Sequence, residues 1–329
     1  MMPSDLRIGT LGAARITPMS LLRPAGHTDG VSVTAVAARD RGRAERFARK
    51  HGIEKVHDDY DALLGDPEVD AVYNPLPNSY HAQWTLRALD AGKHVLCEKP
   101  FTSNASEAEQ VHRAAEQSDR IVMEAFHYRY HPFAQRLRDL VASAELGKLR
   151  FIETWMCIPL PLPRDIRYRL DLAGGATMDT GCYAIHLART IAGEEPAVVS
   201  ARAKLASEGV DRAMQADVRF PSGAKGRINC SLWSWKLVKI AARVQLDGGE
   251  IRALNPIVPQ LFHSLKWRKA GGSWTTEKFP KKPTYEYQLE AFRDAVVRGK
   301  SFPTTTAEAV KNMQVVDAMY RAAGLEPRT

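Results

Sequence analysis

A doubly wound α/β domain with a parallel sheet, followed by an α+β domain on an open, largely antiparallel sheet, is the architecture this 329-residue sequence predicts. Three observations carry the expectation. Short apolar runs alternate with amphipathic helical segments over the first 125 residues, a glycine turn separates the first such run from the first helix, and from about Arg150 the hydrophobic period changes to two.

The elements follow in order. Leu6 to Gly9, Val31 to Ala38, Val69 to Tyr73, His94 to Cys97 and Ile121 to Glu124 are short, apolar and bounded by turn residues, as buried parallel strands are. Between them, Arg43 to His51 carries Ala44, Phe47 and Ala48 at helical spacing, and Asn78 to Ala91 carries Trp84, Leu86 and Leu89. Asn104 with Glu107 has the form of a capping box. Farther on, Ala216-Val218-Phe220, Gly226-Ile228-Cys230-Leu232 and Ala242-Val244-Leu246 alternate with polar partners, and Pro221-Ser222-Gly223 supplies a turn. Strict alternation means antiparallel strands with one face wet or used for association. A helix near Thr284 to Val297 and a capped one from Thr305 and Glu308 through Met313, Val316 and Tyr320 are expected to close this second domain. The predicted domains are 1–125 and 126–329.

Composition narrows the function classes. A hydrophobic content of 44% is that of a soluble globular chain, and no apolar stretch reaches the roughly 18 residues that span a bilayer. Met1-Met2-Pro3-Ser4-Asp5 lacks the regions of a signal peptide, so a cytoplasmic protein without membrane partners is expected. Cys97, Cys157, Cys182 and Cys230 are scattered singly, which predicts neither a metal site nor a disulfide frame. The net charge of +8 is spread along the chain, without the clustered stripe of a nucleic-acid binder; an anionic small-molecule ligand accounts for part of it.

Glu98-Lys99-Pro100 follows the run His94-Val95-Leu96-Cys97, and proline holds the residue before it extended. Lys99 is thereby placed at the carboxyl end of a buried strand, where α/β sheets bind ligands. Gly9-Thr10-Leu11-Gly12-Ala13-Ala14 lies between strand and helix, the setting of a dinucleotide-binding Rossmann turn. Taking Gly12 as the first glycine puts Ala14 and Thr17 at the other two positions, an imperfect match. The next strand ends Val36-Ala37-Ala38-Arg39-Asp40, with Arg43 beyond, where an NAD site places an acid for the ribose hydroxyls. Ala38 leaves room and Arg39 offers a fork for a 2′-phosphate, which favours NADP; Asp40 keeps NAD compatible. In Asn74-Pro75-Leu76-Pro77-Asn78-Ser79-Tyr80-His81, two prolines stiffen a turn and Asn78 is positioned to cap the following helix.

The glycine turn with Ala-Arg, then Asn-Pro-Leu-Pro-Asn-x-x-His, then Ala-Gly-Lys-His-Val-Leu-Cys-Glu-Lys-Pro, in this order, resembles the Gfo/Idh/MocA oxidoreductases. The likeness extends to Gly174-Gly175-Ala176-Thr177-Met178-Asp179-Thr180-Gly181-Cys182-Tyr183. It implies hydride transfer between nicotinamide and a sugar-like alcohol or carbonyl compound, no metal, and homodimers or homotetramers through the open sheet. It also implies catalytic Lys99, Tyr183 and Asp179. Arg167, just upstream of the Gly-Gly turn, is expected as a further substrate donor, and His186, close by on the same helix, as either a substrate residue or a structural one. Tyr183 stands where many members have histidine, as in the branch with glucose-fructose oxidoreductase, dimeric dihydrodiol dehydrogenase, NADP-linked xylose dehydrogenase and deoxysugar ketoreductases. Four apart on a helix, Asp179 and Tyr183 share a face, and a nearby Lys99 charge favours ionised tyrosine. The expected cofactor contacts are Gly12, Ala13, Ala14, Arg15, Ile16, Ala38, Arg39, Arg43, Asn74, Pro75, Leu76, Asn78, His81, Glu98 and Lys99. A non-catalytic NAD(P)-binding regulator and a trans-dihydrodiol dehydrogenase are the alternatives.

Overall fold

The computed structural model describes residues 5–234 and 237–329. Met1 to Ser4, on which the expected location partly rests, lie outside the described residues, as do Trp235 and Lys236. The chain divides into two compact units.

The first unit takes the chain up to Thr102, together with Ser106–His127 and Tyr285–Val310. Its sheet is built from β1 (Leu6–Leu11), β2 (Val31–Ala37), β3 (Lys55–His57), β4 (Ala71–Asn74), β5 (His94–Cys97) and β6 (Val122–Glu124). All pairings are parallel and the order is β3-β2-β1-β4-β5-β6. The order reverses between β1 and β4, so the crevice at their carboxyl ends is the ligand position of a doubly wound sheet. β4 and β6 are buried throughout, which is why apolar runs and not alternation announce them. β3 escapes sequence reading because Lys55, Val56 and His57 are all half-buried and show no period.

The expected domain limits differ from these units at Ser103–Ala105, at residues 126–127 and, over the longest stretch, at one helix. The helix Thr284–Arg298 was expected to close the second domain, yet Tyr285–Val310 belongs to the first unit. Its contacts give the reason: Arg293 Nη1 donates to the Asp29 carbonyl at 2.8 Å, the Tyr285 ring lies 4.1 Å from that of His127, and the Glu124 amide donates to the Thr304 carbonyl at 3.1 Å. A second difference concerns Asn78. The α-helix begins only at His81, after a 3-10 turn Asn78–Tyr80, and its N-cap residue is Tyr80, which makes no side-chain cap bond.

The second unit comprises Ser103–Ala105, Tyr128–Thr284 and Lys311–Thr329. Eight strands, β7 (Leu149–Cys157), β8 (Ala197–Ser207), β9 (Val210–Arg219), β10 (Lys225–Ser231), β11 (Lys239–Leu246), β12 (Gly249–Leu254), β13 (Ser264–Lys269) and β14 (Thr275–Glu277), pair in the order β14-β13-β12-β11-β7-β10-β9-β8. Only β7 with β10 is parallel. The expected turn joins β9 to β10, with the Phe220 amide donating to the Ala224 carbonyl. On one face Ile152, Ile228, Ala242 and Val244 are buried, and the helix Cys182–Ala192 lies against β7 through Thr154 Oγ1, which donates to the Ala184 carbonyl. The other face presents Phe151, Glu153, Trp155, Arg227 and Arg243, paired in register. The helix Thr306–Ala322 starts as expected, the Glu308 amide donating to Thr305 Oγ1.

Candidate active site

The expected site residues fall into two groups, one in each unit. In the first unit, β1 ends at Leu11 and the chain turns at Gly12, whose φ of +94° suits glycine and whose amide donates to the Ala37 carbonyl at 2.6 Å. A Cβ there would stand 3.3 Å from Leu76 Cδ2, so the turn packs closely on the loop after β4. Ala13 is buried, Ala14 and Ile16 are half-buried, and Arg15 is exposed. The turn leads directly into helical backbone at Pro18.

Beside this turn a cavity of about 380 Å³ is lined by Ala38, Arg39, Tyr60, Leu76, Pro77 and Tyr80, among others. Asp40 is the N-cap of the helix Arg41–His51, its Oδ1 accepting from the Arg43 amide at 2.6 Å. The only acid at the end of β2 is thus engaged by the backbone, while Arg39 is exposed at the cavity. Arg43 Nη2 donates to the Ala13 carbonyl at 2.8 Å and so buttresses the glycine turn from outside. Asn74 acts in the same structural way: it is fully buried, Nδ2 donating to the His81 carbonyl and Oδ1 accepting from Leu76. The loop Pro75-Leu76 owes its course to that side chain. These features fit a dinucleotide: a glycine turn without Cβ crowding, and a slot where apolar residues such as Leu76 and Pro77 stand beside Arg39 and Arg87, with Asp58, Asp59 and Asp61 also in the lining.

Lys99 is half-buried just beyond β5. Its amide donates to Glu98 Oε2 at 3.3 Å, and Glu98 Oε1 accepts from the Tyr73 hydroxyl at 2.7 Å. Tyr73 is fully buried and lies 2.6 Å from Ser20 Oγ. Glu98 therefore ties the lysine backbone to β4 and to the helix after the glycine turn. His81 bridges the same region, Nδ1 at 2.8 Å from the Pro100 carbonyl and Nε2 at 2.7 Å from that of Leu76. Burial, with the Lys99 charge added, holds His127 down to about 3, which makes it a neutral neighbour of the ammonium. Tyr73 and His127 were not singled out from sequence, since a buried tyrosine in a strand and a histidine after one look like ordinary packing.

In the second unit the Gly174-Gly175 turn leads into a π-helical segment, Thr177–Gly181, and only then into the α-helix Cys182–Ala192. The uniform α-helix assumed for Asp179 and Tyr183 is thus corrected: Asp179 sits in the wider turn, Tyr183 in the first α turn. Such π turns recur at functional sites. Arg167 Nε lies 3.1 Å from Asp179 Oδ2, and Arg167 Nη1 3.0 Å from Asp165 Oδ1. The Asp179 charge raises the Arg167 pKa, so the two expected substrate residues form one fixed ion pair. Tyr183 is 5% exposed, its ring 6.2 Å from that of Tyr128. His186, expected at the substrate, is enclosed instead: it is 3% exposed, Nδ1 lies 2.6 Å from the Tyr128 hydroxyl, and burial holds its pKa well below the ordinary value.

A parallel sheet with a glycine turn at its switch point and a lysine at a neighbouring strand end defines a dinucleotide-dependent oxidoreductase. The chain belongs to the Gfo/Idh/MocA family. Residues 6–126 match its oxidoreductase domain with an NAD-binding Rossmann fold, and residues 134–252 match its C-terminal domain. The chain is 37% identical to D-xylose 1-dehydrogenase (NADP(+)) 2 of Haloferax volcanii, with 97% of each covered. It is 34% identical to trans-1,2-dihydrobenzene-1,2-diol dehydrogenase of Sus scrofa over 70% of this chain and 69% of that one. Among crystal structures, KijD10, a 3-ketoreductase from Actinomadura kijaniata in complex with NADP and TDP-benzene, superimposes with a TM-score of 0.88 at 28% identity, covering 97% of this chain and 98% of its own.

Proposed function

We propose that this oxidoreductase transfers hydride between NADP(H) and a secondary alcohol or carbonyl of a sugar-like substrate. The observation that carries the cofactor choice is the end of β2, where Asp40 is consumed as a helix cap and Arg39 stands at the cavity mouth. The NADP named for the xylose dehydrogenase relative and bound in KijD10 supports it. Gly12 to Ile16, Ala38, Arg39 and Leu76 would hold the dinucleotide, with Glu98 and Lys99 at its reactive end; the bound nicotinamide supplies or accepts the hydride. Lys99 polarises the substrate oxygen, Tyr183 exchanges the proton, and the Arg167–Asp179 pair orients a neighbouring hydroxyl.

Lys99→Met and Tyr183→Phe should each cut turnover by at least about a hundredfold while leaving dinucleotide affinity nearly unchanged, and the double variant should match the worse single one. The assay is a screen of aldoses, ketosugars and trans-dihydrodiols against NADP and NAD. Near-normal turnover in Tyr183→Phe would remove Tyr183 from the chemistry. A protein that binds NADP yet reduces or oxidises none of these compounds favours the regulatory alternative.

Phe151 and Trp155 share the second face of the eight-stranded sheet with Glu153, Arg227 and Arg243, a mixed apolar and charged surface that suits a homodimer or homotetramer. Light scattering should return a multiple of 36.6 kDa, and Phe151→Glu should lower it. A mass of one chain at working concentration counts against the assembly.

A further inference from the structure

The Gly174-Gly175 turn is held from below by a buried polar cluster that the reaction itself does not use. Gly175 has a φ of +137°, and a Cβ there would fall 2.2 Å from Asp211 Oδ1, 2.8 Å from the Tyr320 hydroxyl and 2.9 Å from Arg328 Nη2. The second glycine is required by these side chains pressing on it. Asp211 is 0% exposed and accepts from the Thr177 amide at 2.8 Å, Thr177 Oγ1 at 2.7 Å, the Tyr320 hydroxyl at 3.0 Å and Arg328 Nη2 at 3.1 Å. It thus supplies from β9 the cap that the π segment lacks, since Ala176 at that position offers no side-chain bond. Arg328 is 3% exposed; its Nε donates to the Gly174 carbonyl at 2.7 Å, and its guanidinium lies 4.1 Å above the Tyr320 ring. The Arg328 carbonyl accepts from Asn104 Nδ2 at 2.8 Å.

We infer that Arg328 is a positioning residue for the reaction, its guanidinium fixing the Gly174–Thr177 turn through Asp211 and the Gly174 carbonyl and thereby placing Asp179 and Tyr183. The planar fork is what makes arginine suited to this task. Nε and Nη2 donate in two fixed directions, to a carbonyl and to a carboxylate, and a lysine ammonium is a single point charge. Without the fork the Gly174 carbonyl and one Asp211 oxygen lose their charged donor, and the turn is free to seek other partners. The assignment rests on the proposed roles of Asp179 and Tyr183.

The experiment compares Arg328→Ala and Arg328→Lys with the unaltered protein by hydrogen exchange, by NADP binding followed by fluorescence, and by turnover of D-xylose with NADP. Amides 175–183 should exchange at least about tenfold faster in Arg328→Ala, NADP affinity should stay within about twofold, and kcat should fall more than KM changes. Roughly 20 mM guanidinium ion, far below denaturing levels, should refill the vacated place and restore both exchange protection and kcat; Arg328→Lys should restore them only in part. A residue that serves stability alone would lower the melting temperature without this local signature or rescue. If Arg328→Ala does not fold, Tyr320→Phe removes one donor to Asp211 and keeps the ring, and should show the same local loss in milder form. Wild-type exchange over 175–183 in a folded Arg328→Ala, or in Tyr320→Phe when that is the variant available, overturns the inference. Tyr183→Phe run in parallel separates the two failures: undiminished turnover there rejects the catalytic reading, whereas the exchange result judges Arg328 independently of it.

Discussion

Arg39 and Asp40 stand side by side after β2, and their fates differ because one side chain accepts hydrogen bonds and the other only donates them. The Asp40 carboxylate accepts from the Arg43 amide and caps a helix, a bond generally worth about 1 kcal/mol, whereas the Arg39 guanidinium has no acceptor to offer and lines the cavity. If the guanidinium pairs with a 2′-phosphate, Arg39→Ala should weaken NADP by roughly 1.5–3 kcal/mol and leave NAD nearly unchanged. Titration of both dinucleotides checks this, and equal losses would reject the assignment. The same residue-scale logic explains what sequence could and could not show. Lys99 was legible because a proline follows it and an apolar run precedes it. Tyr73 and His127 were not, because their roles depend on neighbours such as Glu98, 25 positions from Tyr73 along the chain.

At the scale of the element, the parallel strands were legible wherever both faces are buried, and the β9–β10 hairpin was legible from its alternation and its Pro-Ser-Gly turn. β3 was hidden by half-burial, and β8 by its mostly exposed residues, whose alternation is weak. The helix carrying Tyr183 was legible as a helix, but its π-helical start depends on Asp211 from a distant strand and leaves no local mark. Gly175 shows how strongly that start is constrained. Asp211 is pinned by its own hydrogen bonds and cannot withdraw from a new methyl, and φ of +137° is strained for any other residue. Gly175→Ala should therefore destabilise the fold by at least about 3 kcal/mol, the scale of disrupting a buried ion pair. Denaturant titration measures it. A loss below about 1 kcal/mol would mean that the cluster moves aside easily.

For the whole molecule, buried neutral histidines set an acid limit. Burial comes first among the causes that lower His94 to about 4 and His127 to about 3, and it also takes His186 well below its ordinary value. The geometry agrees for His94, since its Nδ1 accepts from the Ile121 amide at 2.9 Å and must be unprotonated to do so. A histidine whose folded pKa lies below the unfolded value near 6.5 stays neutral in the native state but takes up a proton on unfolding. Stability is then fully present above pH 6.5 and is lost as the pH falls toward the folded pKa. Well below pH 6.5 each histidine that the fold keeps neutral removes about 1.4 kcal/mol of stability per pH unit until its folded pKa is reached. The protein should be stable at neutral pH and lose stability progressively as the pH falls below about 6.5. His94→Asn keeps an acceptor close to the place of Nδ1 and removes the titration, so its unfolding free energy, from urea midpoints between pH 6.5 and 4.5, should fall less steeply by about 1.4 kcal/mol per unit. A slope equal to that of the unaltered chain would show that His94 already carries its proton in the folded state.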